Sequence, residues 1–230
     1  MSITIGIYDL FLYLIPGILY LYVANQFLGL FNKGLFDVLP KTSSGYSIPD
    51  LILVVLGFVA AFIVGHIFDL IARWFVFRLI YRDKTSQTVL VNIKKRDADA
   101  NIQFEAKDWH LLLVLLRQRN LQVAQSFDKH EADSIMFRNI SLIALLLGLM
   151  SIARAILENP MFWILAVLGL IVCIMTARRS YTFHTWFFEG VFLAALEYGN
   201  TVDTVIEYNK KDKSERSPRS SASSKKPKDK

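Results

Sequence analysis

Cysteine is almost missing from these 230 residues: Cys173 is the one thiol, and it sits inside an apolar run. No disulfide within the chain is available, and the side chain reads as a small packing group. Histidine is nearly as sparse. His66, His110, His130 and His184 are scattered, with no HExxH or CxxC spacing, and neither a glycine-rich phosphate loop nor a GxSxG elbow occurs. His130, Glu131 and Asp133 cluster, but a helix start accounts for them. The chain therefore reads as non-enzymatic, without cofactor or metal.

A basic excess is missing too, except at one end. Residues 210–230 hold nine Lys/Arg against three Asp/Glu, which is the whole net charge of +6. That tail has no aromatic residue and many Ser, so it reads as disordered, with only a salt-sensitive attraction for anionic lipid or nucleic acid. No sequence-specific nucleic-acid binding is expected of it.

Charge is also missing from long stretches, and these define the class. Leu51 to Phe68 (LILVVLGFVAAFIVGHIF) carries no formal charge over 18 residues, the length of a transmembrane candidate. The helical pattern continues past it through Asp69, Arg73, Arg78 and Arg82, about 48 Å in all. A helix of that length must project from the bilayer. Tyr8 to Phe31 gives another span, lacking the basic start and cleavage site of a secretory signal and so read as retained; Pro16-Gly17 predicts a kink in it. Phe137 to Leu157 and Met161 to Ala177 complete four. A composition of 53% hydrophobic residues agrees.

The expected fold class is an all-α integral membrane protein: four transmembrane helices, the second and third extended into a small helical stalk, and a disordered basic tail. Its parts are a first hairpin over residues 1–81, an insert over 82–136, a second hairpin with an aromatic juxtamembrane helix over 137–200, and the tail over 201–230. Arg73, Arg78, Arg82, Lys84, Lys129, Arg138, Arg178 and Arg179 flank one side of the spans; Lys33, Lys41 and Arg154 flank the other. Such a bias places both termini and the insert in the cytoplasm.

Within the insert, Thr88 to Ile93 (TVLVNI) alternates as a short strand would, Lys94 to Asn101 reads as a polar loop, and Glu105 to Phe127 as one helix. Asp128 to Glu131 fits a capping box, starting the third long helix at about Lys129. After Arg178-Arg179, Ser180 to Gly199 stays helical and aromatic, lying in the inner headgroup layer or capping the stalk, and its few charges and apolar residues on all sides favour burial.

Three groups of residues stand out. Gly57, Ala61 and Gly65 form a small-residue ridge, which with Pro16 and Gly17 predicts close helix packing, within one chain or between copies; Gly169, Cys173 and Ala177 repeat the pattern. Asp69 and Arg73 are i, i+4 partners, and with His66, Asp9 and Arg138, and Asn139 at a similar level, they predict a polar clasp at the membrane edge, either structural or a ligand or signal relay. Lys94, Lys95, Arg96, Arg117 and Arg119 in the insert are candidate docking residues for a protein partner.

Tyr8-Asp9-Leu10-Phe11 followed by Ile15-Pro16-Gly17, then long second and third helices around a small insert, resembles small four-span membrane proteins of bacterial antiphage defence loci. The nearest are the KwaA subunits of the Kiwa system, and the likeness runs over residues 1 to about 200. It implies a homo-oligomeric sensor in the inner membrane that holds a cytoplasmic, nucleic-acid-binding partner of the KwaB type. No catalytic residue carries over. The residues by themselves leave a second class open, an oligomeric, apolar-lined pore that depolarises the cell.

Overall fold

The computed structural model describes residues 3–30, 50–82, 84–96, 102 and 104–198, with the backbone alone over 3–11, 50, 51, 53 and 54. Among these residues every regular element is a helix. In chain order they are α1 (Ile3–Gly29), α2 (Asp50–Arg73), a π-helical turn (Trp74–Ile80), α3 (Thr85–Arg96), a 3-10 turn (Ala106–Asp108), α4 (Trp109–Arg119), α5 (Leu121–Leu157) and α6 (Phe162–Glu197). Four of these stretches are long and apolar enough to cross a membrane: Leu12–Gly29, Val55–Ile80, Leu121–Leu157 and Phe162–Glu197. Large apolar side chains cover the outside of α2 and α6, among them Leu56, Phe58, Ile67, Ile164, Val167 and Ile174. In water such a surface would be disfavoured, whereas in lipid it is the solvated face.

Several sequence expectations require correction. The strand expected at Thr88 to Ile93 is part of α3, and Lys94 to Arg96 finish that helix instead of opening a loop. Thr85, Val89 and Ile93, four residues apart, are buried on one face, while Val91 is half exposed. Helical period has therefore won over alternation. The single helix expected from Glu105 to Phe127 is broken at Asn120, whose backbone is extended. Asn120 caps α5, its Oδ1 accepting the Val123 amide at 3.2 Å. The third long helix thus begins at Leu121, and Asp128 to Glu131 lie within it rather than at its start. The aromatic segment after the fourth span stays helical, as expected, and continues that span without a break, Ser180 being helical and fully buried. The second helix does reach Ile80, with its last seven residues wound as a π-helix.

Two compact units are present, residues 1–83 with 128–186 and residues 84–127 with 187–230. In the first, α5 and α6 lie along a seam of small residues. Ser134 and Ser180 exchange hydroxyl-to-carbonyl bonds at 3.0 and 2.9 Å, Ser141 Oγ donates to the Cys173 carbonyl at 2.9 Å, and Gly148 lies against Ala166. Each pair lies seven residues further along α5 and seven back along α6, so a heptad of small side chains runs the length of an antiparallel pair. Gly169 adds to it: a Cβ there would come within 2.9 Å of the Gly148 Cα.

The second unit has a conventional apolar core. Val89, Leu90 and Ile93 of α3 meet Leu112, Leu113 and Leu116 of α4 and Phe187, Phe188, Val191 and Phe192 of α6. Phe104 stacks on Phe192, and Trp109 meets Phe187 and Phe188 edge-on. Phe127 closes over Gly190, where any side chain would overlap its ring.

Candidate functional site

The polar groups of the first unit converge on Asp69. Its two carboxylate oxygens accept from Arg138, Oδ1 from Nε at 2.8 Å and Oδ2 from Nη2 at 2.6 Å, a bidentate pair in which both side chains are at least nine-tenths buried. Asn139 Nδ2 donates to Asp69 Oδ1 at 2.9 Å and to the Ile135 carbonyl at 3.0 Å, and Tyr20 Oη donates to Asn139 Oδ1 at 3.1 Å. The Arg138 guanidinium lies 6.0 Å from the Phe77 ring centre. One network therefore ties α1, α2 and α5 together. Planar fork meets planar carboxylate, so the pair is geometrically as good as such pairs become.

Membership differs from what the sequence predicts. Arg138 and Asp69 belong to the clasp, but Arg73 does not: it is exposed beside an open cleft, and Asp69 faces Arg138 instead. His66 is exposed and packs its ring 4.8 Å from that of Tyr13. The Asp9 side chain lies outside the described residues. Asn139, expected at the level of the clasp, joins it, and Tyr20 completes the network, its signal in the sequence being its place one turn after Pro16.

No known family, curated protein or solved structure matches the chain. The site is therefore read from its own geometry.

The small-residue ridge divides. Gly17 lies against Ala61 and Gly65, and Gly65 against Tyr13 and Gly17, so closely that a Cβ on either glycine would overlap the facing carbonyl oxygen. Pro16, fully buried, sits at the same contact, and α1 continues through it. Gly57 has open space around it among the described residues. So Gly17, Ala61 and Gly65 pack α1 on α2, and Gly57 does not.

In the second unit, Lys94, Lys95 and Arg96 end α3, and Arg117 and Arg119 end α4; all five are exposed. Cations in a last turn complement the negative end of a helix, which explains their local placement. Arg96 also faces Glu189 at 3.6 Å, a solvent-exposed pair worth at most about 1 kcal/mol. The four histidines each pack against an aromatic ring, His66 edge-on to Tyr13, His110 stacked on Trp109, His130 stacked on Phe183 and His184 tilted against Phe77. Tyr81, just past the π-helical turn, stacks on Tyr181, and burial pushes its phenol above the ordinary value, with Arg178 opposing.

Proposed function

We propose that the chain is a non-enzymatic membrane scaffold of the KwaA type: a sensor in bacterial antiphage defence that oligomerises in the inner membrane and docks a cytoplasmic, nucleic-acid-binding partner. The observation that carries the reading is the pair of exposed basic helix ends, Lys94 to Arg96 and Arg117 with Arg119, on a small unit with its own core. Four apolar helices supply the anchor. The positive-inside bias assigns both termini and the basic helix ends to the cytoplasm. There they meet a partner by shape and paired charge, because the insert carries nine basic residues against eight acidic ones over residues 82–136.

The test is co-expression and co-purification with a KwaB-type protein. A variant with Lys94, Lys95, Arg96, Arg117 and Arg119 replaced by Gln inserts normally, loses the partner and loses phage protection. Ion flux in liposomes that hold the purified chain alone separates this reading from a pore: a scaffold gives none above empty liposomes.

A further inference from the structure

The end of α2 holds an arrangement that the docking reading does not use. Arg73, Arg78 and Arg82 line one open cleft of about 630 Å³, together with Leu70, Trp74 and Phe77. On a regular α-helix, Arg73 and Arg78 would stand about 140° apart around the axis, and Arg73 and Arg82 about 180° apart. The π-helical turn removes that separation. Its wider winding, marked by the Tyr81 amide bonding the carbonyl of Val76 five residues back, turns residues five apart toward the same side of the helix. Arg82 then turns the chain with a left-handed φ of 48°, an uncommon conformation for a side-chain-bearing residue. Three cations separated on a straight helix thus share one cleft.

Nothing described neutralises them. Asp69, the carboxylate expected to pair with Arg73, is held by Arg138, and among the described residues none of the three arginines has an ion-pair partner. The rest of the cleft mouth is apolar and uncovered, Leu70 being 68% and Trp74 55% exposed. Apolar residues from Leu51 to Phe68 fill the hydrocarbon thickness, so these groups fall at its edge, where Trp anchors and basic side chains meet headgroups.

We propose that this cleft is a binding site for one anionic phospholipid, whose phosphate is held by Arg73, Arg78 and Arg82 and whose glycerol and upper acyl chain lie along Leu70 and Trp74. It rests on the membrane reading of α2 and not on partner docking. Guanidinium forks match phosphate oxygens, and a headgroup at the interface brings its own apolar body to the uncovered side chains. The π-helical turn is the device that makes the site, since it gathers the charge.

The test uses the full chain in lipid nanodiscs, with native mass spectrometry and competition between phosphatidylglycerol and phosphatidylcholine. The intact chain retains phosphatidylglycerol with at least about tenfold preference, and Arg73→Gln/Arg78→Gln/Arg82→Gln removes that preference. Arg73→Lys, which keeps the charge and the helix but loses the fork, weakens it partially and covers the case in which the triple variant does not fold. Lys94→Gln/Lys95→Gln/Arg96→Gln, an equal loss of charge elsewhere, leaves it unchanged. Inorganic phosphate at millimolar concentration does not displace the lipid. Equal retention by the triple arginine variant, equal loss in the lysine control, or displacement by free phosphate would each overturn the proposal.

Discussion

At the scale of single residues, the Asp69–Arg138 pair dominates the first unit. Each partner is desolvated, and removing one leaves an uncompensated charge, which typically costs about 3–5 kcal/mol. Asp69→Asn or Arg138→Gln therefore lowers the thermal unfolding temperature in detergent sharply, whereas Arg73→Gln, at an exposed position, leaves it nearly unchanged. A paired replacement, Asp69→Leu with Arg138→Met, recovers most of the loss, because two apolar groups no longer leave a charge behind. Should Arg73→Gln destabilise as much as Asp69→Asn, the clasp is misassigned. The glycines make a second contrast. Gly65→Leu and Gly17→Leu force side chains into a facing backbone and destabilise by about 1–3 kcal/mol, while Gly57→Leu, with open space around it, does not. Thermal unfolding of the three variants side by side checks this.

At the scale of elements, the long helices are legible in the sequence because apolar runs beyond about 18 residues fit little except a membrane span. Shorter segments are not. TVLVNI satisfies alternation and helical period at once, and what selects the helix is the tertiary burial of Leu90 beside Val89 and Ile93 with Val91 left half exposed, which six letters do not show. The break at Asn120 is hidden because leucine-rich sequence continues on both sides of it, and a plausible capping box at Asp128 puts the helix start eight residues too late. Cap geometry makes the true start testable: Asn120→Ala removes the Oδ1 bond to the Val123 amide and costs about 1 kcal/mol, read as faster hydrogen exchange over residues 121–124. The small-residue seam shows the same limit. Gly169 and Cys173 are visible as part of an i, i+4 ridge, but their true partners, Gly148 and Ser141, follow a heptad through an otherwise leucine-rich run, and a heptad of small residues stands out only when both helices are aligned. The clasp is half legible. Its acid and Arg138 are both recognisable, but i, i+4 spacing favours Arg73 on the same helix, and the better-formed bidentate bond comes from Arg138, 69 residues away in sequence.

At the scale of the whole molecule, the apolar helices and the proposed docking surface belong to different units of one chain. The apolar helices of the first unit can be matched to lipid without reference to the second, whose core of thirteen buried residues holds two basic helix ends in place. A division of this kind predicts that truncation at Lys210 retains more function than the insert substitutions do, since a charged tail contributes only screened attraction. Reporter fusions should place Thr42 outside and Asn101 inside the cell; an external signal at Asn101 would reverse the proposed orientation. The most direct measurement is recovery of the KwaB-type partner on the full chain and on the Lys94, Lys95, Arg96, Arg117 and Arg119 to Gln variant, both at equal membrane levels. The account predicts recovery with the full chain and loss with the variant, with phage protection lost in parallel. Undiminished recovery and full protection by the variant would contradict it.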